Sequence, residues 1–319
     1  MNLKEKINSF PKTPGIYLMK DRDNNIIYVG KSKKLQNRIK SYFTNSKSHS
    51  RKVQRMVKGI HDIEIIETDT ELDALLLECE YIKKIKPMYN KLMKNHENYS
   101  YIKIDTKKEY PYIEVVEEID DDSIYFGPYT SLKNLEKIKE ILNENYKLRR
   151  CKKMNKCLNY DLNKCIGPCR ESISQKEYKT IIDSVISDLK GDSEHIIDIL
   201  TQNMNKEISS LNFEKASMIK DDINKIKSLF NRQEVINSSV DKDVKISLNE
   251  VNDDTCKVYI IYKGKILKSE IIDKNKLKMF DKEEYIKENI SENIESDDFS
   301  DYVDKYDIDF MNIIYNYIK

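Results

Sequence analysis

Apolar positions along the chain change period several times, and each change marks an element. Gly15–Lys20 and Ile26–Lys31 are β-branched and aromatic runs around the polar stretch Asp21–Asn25, which predicts a hairpin. With a four-residue turn at Asp21–Asn24, Lys20 would oppose Asn25 and Tyr17 would oppose Tyr28, placing both tyrosines on one face. A one-residue slip would put them on opposite faces. Ser32–Phe43 then reads as a helix, with Leu35, Ile39 and Tyr42 at i, i+4 and i+7 and Arg38 at the edge of that face. His49–Ile60 reads as a second helix and Ile63–Glu67 as a third strand. Thr70–Lys86 is a helix with Leu72, Leu75, Leu76, Cys79 and Ile82 along one side, ended by Pro87.

Further along, Asn98–Val116 holds two strands, Tyr125–Tyr129 a turn, and Leu132–Tyr146 and Glu177–Leu200 helices. Met204, Ile208 and Leu211 form one apolar stripe; Phe213, Ala216 and Ile219 begin another, continued by Ile223, Ile226 and Leu229. The bend at Leu211–Ala216 makes an antiparallel helix pair. Two short amphipathic helices barely bury their own faces, so a partner is expected. Asp243–Lys278 alternates as strands around a Gly turn, and 281–319 reads as an acidic tail. The fold class expected is α+β: a small antiparallel sheet flanked by helices, then a Cys-rich segment, a helical hairpin and a small β region. The expected divisions are 1–95, 96–150, 151–200, 201–235, 236–280 and 281–319.

Composition narrows the function. The 319 residues are 35% charged and 39% hydrophobic, with no Trp, which suits two or three small, polar-surfaced domains. Net charge is only +1, but residues 1–95 carry 20 Lys and Arg against 11 Asp and Glu, and 281–319 carry 4 against 12. A basic head suits a polyanion. No run of 18 apolar residues exists and Met1–Phe10 is polar, so a cytoplasmic protein without a membrane partner is expected.

Two constellations carry chemistry. Glu78 follows three leucines, and a carboxylate there is costly to bury unless it is paired or binds a cation. Cys151, Cys157, Cys165 and Cys169 are spaced C-x5-C-x7-C-x3-C. In a reducing compartment such a cluster favours a metal over disulfides. The first two gaps are long for zinc, and four thiolates also suit a [4Fe–4S] cluster. Cys79 and Cys256 stand alone and read as core residues.

The ordered set Gly15-Ile16-Tyr17, Tyr28-Val29-Gly30-Lys31, Arg38, Leu75-Leu76-Leu77-Glu78 and Lys86-Pro87-Met88-Tyr89-Asn90 resembles the GIY-YIG nucleases, and within them the UvrC family. The resemblance covers residues 8–278. It implies a DNA endonuclease that makes the 3′ incision of nucleotide excision repair on damaged double-stranded DNA. Glu78 would hold Mg²⁺ or Mn²⁺, with Tyr17, Tyr28, Lys31, Arg38, Tyr42 and Asn90 around the scissile phosphate. The four cysteines would bind an iron–sulfur cluster. The 201–235 hairpin, with Leu211, Phe213, Glu214, Ala216 and Ile219, resembles the UVR motif and would dock UvrB. A second, RNase H-like nuclease and a helix-hairpin-helix module, found in full UvrC proteins, are expected to be absent. A silent UvrB-binding adaptor or a stand-alone structure-specific nuclease are the alternatives.

Overall fold

The structure, a computed structural model, describes residues 2–44, 49–155, 158–240, 243–279, 281–290 and 303–318. The chain divides into two units. One comprises Met1–His96, Ser238–Tyr302 and Tyr306–Lys319; the other comprises Glu97–Asn237 and Val303–Lys305.

In the first unit, α1 (Leu3–Ser9) precedes β1 (Gly15–Lys20) and β2 (Ile26–Ser32), then come α2 (Leu35–Thr44), α3 (Arg51–Gly59), β3 (Asp62–Glu67) and α4 (Glu71–Ile85). The antiparallel sheet has the order β2-β1-β3. Central β1 is buried along its whole length. The hairpin register differs from the expected one: Tyr17 pairs with Gly30 and Met19 with Tyr28, and the pairing shifts between Met19 and Lys20. The cause lies in the turn. The Asp21 carboxylate accepts the backbone N–H groups of Asp23 and Asn25, and Asn24 takes a positive φ of 63°. The turn spans five residues, so Lys20 pairs with Ile26, and the bulge adds one more; the two one-residue displacements together preserve parity, so Tyr17 and Tyr28 share a face as anticipated. A capping box between Thr70 and Asp73 starts α4, and a left-handed Lys86 ends it.

The second unit contains β4 (Ser100–Ile104), β5 (Ile113–Val116) and β6 (Ile124–Tyr129) in the order β5-β4-β6. The stretch Tyr125–Tyr129, read as a turn, is strand β6; its aromatics are pulled into the sheet by the burial of Tyr125, Phe126 and Tyr129. Next come α5 (Leu132–Asn145), α6 (Leu158–Asp161), α7 (Gln175–Lys190), α8 (His195–Ser209) and α9 (Phe213–Val240). The single helix expected over Glu177–Leu200 is two. Left-handed Gly191 terminates α7. The buried Asp188 carboxylate then accepts the backbone N–H groups of His195 and Ile196 at 3.0 and 2.8 Å, which opens α8. Tyr146 Oη donates to the same carboxylate at 2.6 Å.

Residues beyond 237, apart from Val303–Lys305, belong to the first unit. β7 (Lys245–Glu250), β8 (Thr255–Tyr262) and β9 (Lys265–Asp273) form the expected antiparallel sheet, followed by α10 (Lys282–Ile290) and α11 (Ile308–Ile318). The acidic-tail reading fails for α11. Its Ile313 and Ile314 join Tyr259 and Ile261 of β8 in one buried cluster with Leu72 and Cys79 of α4. The acidic residues that dominate the charge count lie mostly before this helix, and its apolar period outweighs the rest. Polar ties flank the cluster: Lys83 pairs with Asp309 at 2.8 Å, and Lys257 with Asp69 and Asp73 at 2.8 and 3.0 Å. Among the described residues, no helix is long and apolar enough to cross a membrane.

Candidate active site

Tyr17 rises from β1, Tyr28 from β2, and Tyr42 from the second turn of α2. Their ring centres form a triangle: 6.2 Å from Tyr17 to Tyr28, 6.0 Å from Tyr17 to Tyr42 and 6.4 Å from Tyr28 to Tyr42. The Tyr17 and Tyr42 hydroxyls are hydrogen-bonded at 2.9 Å. Arg38 lies one helical turn before Tyr42, and its guanidinium carbon stands 5.1 Å from the Tyr42 ring centre. Tyr17 is only 1% exposed, and it fits because Gly30 faces it without a side chain. A Cβ on Gly30 would lie 2.4 Å from the Tyr17 hydroxyl.

The fourth side of the site is α4. Glu78 accepts the backbone N–H of Lys31 at 3.1 Å through Oε1. Among the described residues no hydrogen bond engages Oε2. Burial raises the Glu78 pKa, against the Lys31 N–H bond and the charges of Lys31 and Arg38. The tyrosines respond alike. Burial raises Tyr17 well above the ordinary phenol value, Tyr42 and Tyr28 add to this, and Arg38 opposes it. Tyr28 is raised by burial, by Tyr42 and by Glu78, again against Arg38.

Two expected residues occupy other places. The Lys31 ammonium is bonded to Glu71 at 2.7 Å, and exposed Lys33 shares that carboxylate. Asn90 lies along the outer edge of β2. Its Oδ1 accepts the Val29 N–H at 3.0 Å and its Nδ2 donates to the Val29 carbonyl at 2.9 Å. It thus satisfies an edge strand whose next residues are Tyr28 and Gly30. Glu71 was missed by the sequence reading. Its signal was its place seven residues before Glu78, two turns along one helix face. His49, whose ring centre is 6.0 Å from that of Tyr42, carried no motif at all.

The remaining expected sites lie in the second unit. Cys165 is buried and Cys151 and Cys169 are half-buried, all as free thiols; Cys157 falls outside the described residues. The Gly167 N–H donates to Cys165 Sγ at 3.4 Å. Burial and the thiols of Cys165 and Cys151 push Tyr178 up to about 12, against Arg149. Among the described residues no cluster of His, Cys, Asp or Glu forms a metal ligand set. In the helix pair, Ala216, Ile223, Ile226 and Leu229 are buried, whereas Ile219 is half-buried and Glu214 exposed. At the bend, Leu211 is 74% and Phe213 63% exposed. Cys79 and Cys256 are buried core residues, as anticipated.

Residues 13–91 match the UvrC-like GIY-YIG domain, and residues 99–188 the middle domain of the UvrC/Cho excinucleases. The chain is 37% identical over 278 residues to UvrABC system protein C of Clostridioides difficile, covering 83% of this chain and 46% of that protein. It is 39% identical over 276 residues to the Clostridium botulinum (strain Okra) protein of the same name, covering 83% and 45%. It therefore spans just under half the length of these relatives. Among solved structures, the GIY-YIG N-terminal endonuclease domain of UvrC from Thermotoga maritima, bound to magnesium, is 36% identical, with 28% of this chain and 96% of that one covered and a TM-score of 0.26. Residues 13–188 are thus a pair of UvrC-family domains, a UvrC-like GIY-YIG domain followed by an excinuclease middle domain.

Proposed function

We propose that the chain is a divalent-cation-dependent DNA endonuclease that makes the 3′ incision at lesions in nucleotide excision repair, acting with UvrB. The observation that carries this reading is the convergence of three tyrosines and Arg38 with a half-buried carboxylate, Glu78, on UvrC-family domains. Three phenols packed for hydrophobic reasons alone would not need a guanidinium and a carboxylate beside them.

Phosphodiester hydrolysis requires an activated water, neutralised phosphate charge and help for the leaving oxygen. Glu78 fits a hydrated cation such as Mg²⁺ or Mn²⁺, since one carboxylate with Oε2 available suffices when the ion keeps its waters. Such a cation would supply charge neutralisation and an acidified water. The protein supplies the rest. Arg38 presents a donor fork to the phosphate. Tyr17 and Tyr28 are held protonated by burial, so they orient the attacking water through hydrogen bonds, with Arg38 as the one charge that eases proton loss from Tyr17. Tyr42 fixes the Tyr17 hydroxyl. Lys31 can exchange Glu71 for a phosphate oxygen, and Asn90 aligns β2 so that Tyr28 faces the cleft.

The exposed bend at Leu211 and Phe213 is assigned to UvrB docking, with Glu214, Ala216 and Ile219 shaping the hairpin. Cys151, Cys157, Cys165 and Cys169 are assigned to a [4Fe–4S] cluster rather than zinc. The spacing supports this, as does the N–H donor on Cys165, a bond of the kind that tunes cluster sulfurs. Iron analysis and the visible spectrum of anaerobically purified protein check it.

The deciding experiment is incision of an end-labelled duplex carrying one bulky adduct, with UvrA, UvrB, ATP and Mg²⁺. A single 3′-side cut that is lost in Glu78→Ala supports the proposal. Absence of cutting by the wild-type chain, with UvrB still bound, would make it an adaptor.

A further inference from the structure

The segment after α4 presents an unusual surface. Residues 86–94 alternate between anchors and exposed groups. Tyr89 packs into the tyrosine-lined core and its N–H donates to the Ile27 carbonyl at 3.0 Å. Asn90 clasps Val29, and Met93 packs against the buried cluster of Ile16, Leu18, Val29 and Ile82. The residues between these anchors are forced outward: Met88 is 72% and Leu92 76% exposed. Both therefore sit on a rigid support bonded to the strand that carries Tyr28.

Cations surround them. Lys91 is exposed and Lys94 half-buried on the same segment, and Lys52 reaches it from α3. Lys52 Nζ donates to the Tyr89 carbonyl and Lys94 Nζ to the Pro87 carbonyl, each at 2.9 Å. Among the described residues none of Lys52, Lys91 and Lys94 is ion-paired with a carboxylate. Burial and the charges of Lys91 and Lys94 lower the Lys52 pKa. Like charges gathered on neutral carbonyls gain most from an anion laid across them. Apolar side chains standing among those charges gain from sugar and base surfaces. A nucleic acid strand offers both within one binding partner, with phosphates and base or sugar faces repeating at each nucleotide.

We propose that residues 88–94 with Lys52 form a strand-docking surface for the DNA flanking the cut. Lys52, Lys91 and Lys94 take backbone phosphates, and Met88 and Leu92 lie against the sugars and bases. This rests on the nuclease reading, but its test separates the two. Binding of a labelled duplex is followed by fluorescence anisotropy against salt concentration, in the full chain carrying Glu78→Gln so that no cleavage intervenes. The variant K52A/K91A/K94A is compared with K133A/K176A/K227A, which removes the same charge elsewhere. The single Lys91→Glu variant repeats the test at one exposed position.

The expected result is a slope of log K against log salt that flattens by about 2 to 3 in the loop variant, near 0.9 per phosphate lost. The control triple keeps the wild-type slope. M88A/L92A is expected to bind about tenfold more weakly with the slope retained. An unchanged slope in the loop variant, or an equal change in the control, overturns the proposal. A chain that binds through these lysines yet never cuts DNA keeps the surface and sinks the nuclease reading. A chain that cuts normally without them does the reverse.

Discussion

Tyr17 lies directly over Gly30, its pairing partner in the hairpin, and the two are mutually dependent. A Cβ at position 30 would meet the Tyr17 hydroxyl at 2.4 Å and the ring carbon bearing it at 2.5 Å. The Tyr17 ring is enclosed on its other sides, so it cannot swing away without breaking its bond to Tyr42. Gly30→Ala is therefore expected to destabilise the chain by about 1–3 kcal/mol through overpacking and to abolish cleavage by displacing Tyr17. Tyr17→Phe keeps the packing and removes only the hydroxyl. It should melt near the wild-type temperature while cleaving at least ~10²-fold more slowly. Equal loss of stability in both variants would show that Tyr17 serves packing alone.

Glu78 links activity to pH. Its pKa is raised by burial, so protons compete with the cation at a higher pH than for an exposed glutamate near ~4.3. The Mg²⁺ concentration giving half-maximal cleavage is expected to rise as pH falls toward the raised Glu78 pKa, about tenfold per unit once the carboxyl is mostly protonated. A half-maximal concentration with the same pH dependence in wild type and Glu78→Gln would remove Glu78 from the cation site.

The same shift carries a stability consequence of definite sign. A carboxyl whose folded pKa is raised favours the fold when protonated and disfavours it once pH climbs above the unfolded value. Glu78→Gln, without cation present, should thus melt higher than wild type at pH 8, and the gap should close toward pH 4. Cleavage would be lost in the same variant. A lower melting temperature at pH 8 would mean that attraction to Lys31 and Arg38 outweighs the cost of the half-buried charge.

In the first unit, Lys83 and Asp309 form an ion pair with side chains 0% and 8% exposed. Lys83 also donates to the Tyr306 carbonyl at 2.7 Å. Removing one partner strands the other in an apolar setting. Asp309→Ala is expected to cost about 3–5 kcal/mol in urea unfolding, and the double variant Lys83→Met with Asp309→Leu considerably less. Because α4 carries Glu78, cleavage should fall with the single variant and recover in part with the double one.

The GIY-YIG core was legible because its signals are local. Period-2 runs, the stop at Pro87 and the run of leucines before Glu78 each fix an element within a few residues. The hairpin register was not, because it depends on how Asp21 bonds to its own turn, a choice of one bulge among several. Lys31 and Asn90 were identified as functional from their place in the motif. Their partners, Glu71 and the Val29 backbone, lie 40 and 61 residues away, beyond any local pairing rule, and only the two-turn offset of Glu71 from Glu78 hinted at the first. Helix α11 was hidden by the charge of the residues before it. Reading Ile308–Ile318 by its own period, apart from the tail, would have found it.

The bend of the helix pair offers the sharpest division between structural and binding roles. Ala216, Ile223 and Ile226 are buried, so replacing them should lower stability. Leu211 and Phe213 are exposed and contribute little to folding. Phe213→Ala is expected to leave the melting temperature within about 1–2 °C, since surface changes stay near ±0.5 kcal/mol. It should weaken UvrB binding by at least ~30-fold, as an exposed aromatic anchor does when truncated. Incision of damaged duplex should then fall at low UvrB concentration and recover at high concentration, because the catalytic groups are untouched. Binding that survives Phe213→Ala and Leu211→Ala together would move the UvrB contact away from this hairpin.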